Sequence, residues 1–325
     1  MLELDRQFVN RYQGGFPLEE QPFVRVAAEL GTDPDSLIER IGRLLDDGLL
    51  SRFGPLYDAS GMGGSLTLAA MSVPGDRFDE VAELVNRMPE VAHNYQREHL
   101  LNMWFVVAAE TPELLLATLD RIAWASNLTV YDFPKLQTFY LGLWLEIDDR
   151  GRVRTRPIPG PLKQGGMIID ELDRKIVQAT QAGLPLEAEP YTVIARECEC
   201  DTQTLLQRMR RMLERGVIRR IGAIPNHYKL GLKSNGMSVW DVDDARLPEL
   251  GAHVGRLDFV SHCYERPRHP PFWPYNLFAM IHGQNRDEVD SKVELVDEML
   301  GDGCRRHEVL FSTRILKKTG LRLVS

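Results

Sequence analysis

Cysteine is scarce and unevenly placed. The 325-residue chain has four, Cys198, Cys200, Cys263 and Cys304, all in its second half. Cys198-Glu199-Cys200 lacks the two-residue spacer of a redox motif, and no second pair stands at zinc-ligand spacing. These are expected to be reduced thiols that serve packing. No apolar run reaches membrane-spanning length, and the opening MLELDRQF lacks the layout of a signal peptide, so a cytoplasmic location is the expectation. An excess of positive charge is also missing. With 39 Lys and Arg against 47 Asp and Glu, the net charge of −8 argues against a nucleic-acid footprint spread over the whole molecule, though not against a local basic patch. Hydrophobic content of 43% and charged content of 26% are those of an ordinary soluble protein, and the length calls for two or more domains.

What the chain does have is itself, twice. Residues 4–18 read LDRQFVNRYQGGFPL and residues 172–186 read LDRKIVQATQAGLPL. The match continues with Leu45-Asp46-Asp47-Gly48-Leu49 against Leu213-Glu214-Arg215-Gly216-Val217, and Arg52-Phe53-Gly54 against Arg220-Ile221-Gly222. It returns at Val91-Ala92-His93-Asn94-Tyr95-Gln96-Arg97 against Val260-Ser261-His262-Cys263-Tyr264-Glu265-Arg266. A period of this length is too long for a solenoid repeat, so two whole protomers have been duplicated or fused. A residue present in only one copy is not required by the common scaffold.

Each copy opens with three helical patterns, over 2–13, 20–30 and 34–47, then over 171–181, 189–197 and 201–215. Asp33-Pro34 and Asp201 supply helix starts, and Gly48 and Gly216 supply stops. Short strands follow at Leu49–Tyr57 and Val217–Pro225, giving a winged helix-turn-helix in each copy. The remainder reads as βαββαβ, with strands at 65–73, 90–97, 102–109 and 135–145, then 233–241, 258–265, 275–283 and 304–314. Helices are expected at 77–88, 112–125, 246–255 and 286–299. The expected fold is therefore α+β, a tandem duplication of a winged helix-turn-helix plus a ferredoxin-like domain. The domain boundaries are 1–60 and 61–147 for the first copy, a linker at 148–167, and 168–226 and 227–325 for the second.

A winged helix followed by βαββαβ resembles the feast/famine transcription regulators of the leucine-responsive type. Second-half segments narrow the resemblance. They are Arg219-Arg220-Ile221-Gly222-Ala223-Ile224-Pro225-Asn226-His227-Tyr228-Lys229-Leu230-Gly231, Asn235–Val242, Cys263-Tyr264-Glu265-Arg266-Pro267 and Trp273–Gly283. Together they resemble the siroheme decarboxylase family, in its fused two-subunit form. The first copy departs from it: Leu101-Asn102-Met103-Trp104 keeps the asparagine but not the preceding Trp-Pro-Tyr.

That resemblance implies conversion of the C12 and C18 acetates of siroheme to methyl groups with release of two CO2, in biosynthesis of the nitrite-reductase heme or by an alternative heme route. It implies no dedicated cofactor, because the iron is carried by the substrate. Such a substrate, with its many carboxylates, calls for arginines, a broad apolar or aromatic wall and a proton donor. His227 and His282 are the catalytic candidates, orienting the acetates and supplying protons. Arg219, Arg220, His262, Tyr264, Arg266, Trp273, Tyr275 and Asn276 are the substrate-binding candidates. His227 or His262 is the candidate axial ligand of the substrate's iron.

Internal comparison supports a principal active site in the second copy, and hence one tetrapyrrole per chain. His227 pairs with Ala59 and His282 with Ala108, while His269 sits in an insertion. His262 matches His93, so a scaffold role is as good a reading there. Asn276, Phe278, Met280 and His282 share one strand face, as do Val260, His262 and Tyr264, and the pairing register decides whether these faces coincide. A DNA-binding regulator and a non-catalytic tetrapyrrole carrier are the rival readings. Against the first, the basic second-copy helix with Arg208, Arg210, Arg211 and Arg215 faces a first-copy counterpart carrying Asp35, Glu39, Asp46 and Asp47. Expected partners are siroheme, its product, the paired second half of the chain as a pseudo-dimer, and other subunits of the same kind; no membrane is expected.

Overall fold

The computed structural model describes residues 2–58, 60–158 and 165–318. Three helices open the first copy: α1 (Glu3–Arg11), α2 (Pro22–Leu30) and α3 (Pro34–Asp46). The Asp33 side chain accepts from Ser36 N and caps α3, while Leu37, Ile41 and Leu44 make its buried stripe. Next come β1 (Leu50–Tyr57), β2 (Ser65–Met71), α4 (Phe78–Arg87), β3 (Val91–Arg97), β4 (Met103–Ala109), α5 (Pro112–Ser126), β5 (Val130–Pro134) and β6 (Gln137–Leu141). A hairpin of β7 (Trp144–Ile147) and β8 (Val153–Arg156) leads to the second copy. This contains α6 (Glu171–Thr180), α7 (Pro190–Glu197), α8 (Thr202–Glu214), β9 (Ile218–Pro225), β10 (Ser234–Val242), α9 (Leu247–Gly255), β11 (Val260–Glu265), β12 (Leu277–Gly283), α10 (Arg286–Leu300) and β13 (Cys304–Lys318).

The wing strands pair with each other rather than within their own copies. β1 and β9 run antiparallel, with Gly54 opposite Gly222. Each then docks on the other copy's helices: Leu184 N donates to Phe53 O, and Ala223 N to Tyr12 O. The repeated Arg-x-Gly now has a cause. A Cβ on Gly54 would lie 2.8 Å from Leu184 N, and one on Gly222 would lie 2.1 Å from Tyr12 O. One hydrophobic core accordingly runs through both helical modules, from Phe8 and Ile41 to Ile194 and Met209.

The stretch expected to be an aperiodic linker is partly an ordered hairpin. Asn10 and Gln13 of the first copy bind its β7 backbone as a neighbouring strand would. Gln13 Nε2 donates to Leu145 O at 2.6 Å and its Oε1 accepts from Leu145 N at 2.9 Å; Asn10 does the same with Ile147. Asp148 Oδ1 closes the turn by accepting from the amides of Arg150 and Arg152. Residues 159–164 of that stretch lie outside the described residues.

The remaining strands form a nine-stranded sheet ordered β5-β2-β4-β3-β13-β10-β12-β11-β6. Within each copy the order is fourth, first, third, second, which is ferredoxin-like. Each fourth strand serves two partners. β13 begins beside β10, with Gly236 opposite Phe311, and ends beside β3, with Lys318 opposite His93. The first copy's fourth strand was expected at 135–145. Instead it starts at Val130 beside β2, is interrupted after Pro134, which has no N–H to donate, and resumes as β6 beside β11. Each copy thus completes the other's sheet. Helices α4 and α5 cover one face over Val81, Phe105 and Ile122, and α9 and α10 cover the other half over Val254, Ile281 and Val293.

A separate apolar cluster lies on the opposite sheet faces and joins the copies: Trp104, Phe133, Met237, Val239, Trp273 and Phe278. Trp104 and Trp273 have ring centroids 5.0 Å apart. Replacing Trp273 by alanine is expected to lower unfolding stability by about 3–5 kcal/mol. Denaturant titration measures this, and a loss confined to ligand affinity is the result that would contradict the packing role.

A cation-lined cavity beside a histidine cluster

β9 carries Arg219 and Arg220 past the break between β5 and β6. There the sheet edge, the first copy's α1–α2 connection and β7 enclose a cavity of about 1090 Å3. Its wall includes Phe16, Lys135, Leu141, Trp144, Arg219 and Arg220. Both copies therefore build the cavity. Volume and mixed lining suit a large organic ligand.

The cations here are underpaired. Arg219 donates to Leu141 O at 3.4 Å, Arg220 to Leu143 O at 3.0 Å, and Arg266 to Phe133 O. These acceptors are carbonyls, not carboxylates. Nε and one terminal nitrogen of Arg220, and Nε of Arg266, are buried without a hydrogen-bond partner. Burial, followed by the charge of Arg219, lowers Arg220 to about 10; burial lowers Arg266 to about 10 as well. Lys135 is also lowered, by burial first, against a partial counter-charge from Asp58. Arg220 and Arg266 remain protonated at neutral pH. Unpaired buried charge is costly, so an anionic ligand would relieve this arrangement. Arg220 also lies over the Trp144 ring, at 5.7 Å, and Arg266 and Lys135 each lie 5.1 Å from the Tyr264 ring.

The register places the two strand faces together: Tyr264 lies opposite Phe278 and His262 opposite Met280. His262, Tyr264 and His282 consequently share a face. Ser261 Oγ bridges His262 Nδ1 at 2.7 Å and His282 Nε2 at 2.6 Å, while His282 Nδ1 meets Asn235 Oδ1. His227, in the turn after β9, has its ring centroid 5.3 Å from that of His282 and 4.2 Å from Tyr228. Burial, then the charge of Lys318, lowers His227 to about 4. Burial, then the charges of Arg219, Lys135, Arg266 and His227, lowers His262 to about 3. Burial depresses His282 well below its ordinary value. The three imidazoles are neutral at pH 7.

Several expected site residues are placed elsewhere. Trp273 and Tyr275 are 0% and 2% exposed in the packing between the copies, and Tyr275 OH donates to Glu308. Neither offers a ring face to the cavity. Asn276 clamps Val242, accepting from its N at 3.0 Å and donating to its O at 2.9 Å; Asn102 does the same to Val73. That clamp belongs to the scaffold of both copies. Arg266 has a double as well, since Arg97 donates to Leu310 O as Arg266 does to Phe133 O, each tying one copy to the other's fourth strand. His282, expected to supply protons, has both ring nitrogens engaged by Ser261 and Asn235 and presents neither to a ligand. His227 and His262 Nε2 carry no hydrogen bond among the described residues, which leaves them as the available imidazole groups. His269 meets Asp132 O at 2.7 Å. The residues missed were Lys135, Trp144, Ser261 and Asn235. Ser261 faces Ala92 in the repeat and was open to the comparison that singled out the histidines. Lys135 was hidden inside an assumed strand.

A duplicated winged-helix and ferredoxin-like chain thus carries a large cavity whose cationic lining suits an anionic ligand. The match to known proteins specifies which class. The model "Siroheme decarboxylase NirDL-like HTH domain" matches residues 5–50 and 173–219, and the model "AsnC-like ligand binding domain" matches 62–139 and 229–317. The siroheme decarboxylase NirH subunit of Paracoccus pantotrophus is 56% identical over 47% of this chain and 96% of its own. The NirDL subunit of Paracoccus denitrificans is 32% identical over 98% of this chain and 97% of its own. A crystal structure of the siroheme decarboxylase NirDL in co-complex with an iron-uroporphyrin III analogue superposes with a TM-score of 0.73 at 29% identity, covering 99% of this chain and 94% of that one. The chain belongs to the siroheme decarboxylase family and is, by that membership, a decarboxylating enzyme.

Proposed function

We propose that this enzyme acts on siroheme, converting the acetates at C12 and C18 to methyl groups with release of two CO2. The observation that carries this reading is the set of half-buried, underpaired cations at one large cavity. The neighbour's iron-uroporphyrin analogue supports it, as a macrocycle of related shape held by a related chain. Arg219, Arg220 and Lys135 hold peripheral carboxylates, Trp144 and the apolar wall meet the macrocycle, and Tyr264 and Arg266 support the far side. No resident cofactor is needed. The reacting carboxylate leaves as CO2, its bonding electron pair stays on the former methylene carbon and delocalises into the ring, and one proton then completes the methyl group. His227 and His262 are the groups placed to deliver that proton, and either is the candidate axial ligand of the substrate's iron.

Neutral histidines become acids only if the bound ligand changes them. A polyanion beside His227 and His262 raises their pKa values from about 4 and about 3. Siroheme binding at pH 7 is therefore expected to take up protons, on the order of one per site. Calorimetry in buffers of different ionisation enthalpy measures it; net proton release would oppose the assignment.

The winged helices are proposed to be structural. Arg208 pairs with Asp170 and Asp173, and Arg210 donates to Leu18 O, so part of the basic helix is used internally. The two halves act as a pseudo-dimer, further subunits of the family are candidate partners, and the setting is cytoplasmic. Among the described residues no helix is long and apolar enough to cross a membrane. The test is anaerobic incubation with siroheme and mass analysis of the extracted tetrapyrrole. Loss of two CO2 is expected, with one tetrapyrrole bound per chain. An unchanged bound pigment would make it a carrier, and no binding with a sequence-specific DNA shift would make it a regulator.

A further inference from the structure

The polar chain running from Asn235 through His282 and Ser261 to His262 exists in one copy only. Strand pairing sets Asn235 opposite His282 as it sets Leu66 opposite Ala108, and Ser261 corresponds to Ala92. Three polar groups in the second copy are thus three apolar groups in the first. The common fold does not need them. The histidine common to both copies responds accordingly. His93 Nδ1 is buried without a partner, whereas His262 Nδ1 has Ser261.

The chain has a direction. Asn235 Oδ1 can only accept, so the proton of His282 is on Nδ1. His282 Nε2 is then an acceptor, and the single hydroxyl proton of Ser261 goes to it. Ser261 Oγ in turn accepts from His262 Nδ1–H. His262 is left with a bare lone pair on Nε2, the ring nitrogen with no hydrogen bond among the described residues. We propose that Asn235, His282 and Ser261 are positioning residues that fix the Nδ1–H tautomer of His262 and so present its Nε2 as the nitrogen that takes up and hands on the proton. The proton enters at Nε2 and leaves from Nε2 to the carbon that has lost CO2, while Nδ1–H stays bonded to Ser261 throughout. The delivery step rests on the siroheme reading; the tautomer does not.

Proton-detected nitrogen correlation spectra of 15N-labelled full-length protein distinguish the two tautomers, and loss of the resonance in His262→Asn assigns it. Wild-type protein is expected to show His262 protonated on Nδ1. Ser261→Ala should move the proton to Nε2 and slow single-turnover decarboxylation on the order of 10-fold or more, with siroheme affinity changed by no more than about 3-fold. Ser261→Thr keeps the hydroxyl and should restore the Nδ1–H form, separating the relay from a folding defect. An Nε2–H tautomer in wild type, an unchanged tautomer in Ser261→Ala, or a changed tautomer with an unchanged rate would each overturn the proposal. If wild-type protein does not decarboxylate siroheme, the substrate reading falls, and the tautomer comparison still decides the relay.

Discussion

Replacing His262 or His227 by alanine is expected to cut single-turnover decarboxylation on the order of 100-fold or more while leaving siroheme binding within about 10-fold. Both are neutral imidazoles, His262 within the influence of the cavity's cations and His227 against His282, and among the described residues His227 and Nε2 of His262 carry no hydrogen bond, so each can receive a proton once the substrate's charge is in place. Binding rests mainly on Arg219, Arg220 and Lys135, which the substitutions leave intact. His282→Ala should be milder in rate than His262→Ala, because it acts through Ser261. Absorbance titration beside rapid-quench mass analysis separates the two quantities. If His227→Ala and His262→Ala both keep the wild-type single-turnover rate, neither is the acid. If one instead loses an iron-ligand band from the bound spectrum, that residue is an axial ligand.

Much of this arrangement was legible in the chain because a repeat contains its own control. The helix starts at Asp33 and Asp201, the stops at Gly48 and Gly216, and the βαββαβ order depend on local chemistry that sequence displays directly. The exchange of β1 and β9 between copies was not legible. A strand's pairing partner lies outside its own periodicity, and Gly54 and Gly222 show their purpose only once Leu184 and Tyr12 are seen against them. Trp273 and Tyr275 misled for a related reason. An aromatic beside prolines looks the same in sequence whether it walls a ligand or fills the space between two sheets. Lys135 was missed because it was read as the first residue of a strand at 135–145, whereas it lies in the break between β5 and β6.

Arg220→Met is expected to move stability and affinity in opposite directions. In the free protein Arg220 is a half-buried charge with two buried, unpartnered nitrogens and one carbonyl contact, and its strongest charge–charge influence is another cation, Arg219. Its stem packs on Gly14 and its head lies over Trp144, and methionine can keep much of that packing. Removing an uncompensated buried charge in favour of an apolar side chain of similar length should stabilise the unliganded fold, by about 1–4 kcal/mol on the precedent of buried ion pairs. The same substitution removes a charged donor for a substrate carboxylate, worth about 1.5–3 kcal/mol, which is roughly a 10- to 150-fold weaker Kd. The single-turnover rate at saturating siroheme should change far less than the Kd. Denaturant titration of the free protein and absorbance titration with siroheme measure the two sides. A variant that is less stable and binds normally would show Arg220 to be a structural residue of β9 and not part of the substrate's cation set. A variant more stable and weaker in binding is the outcome required of a charge kept buried for a ligand.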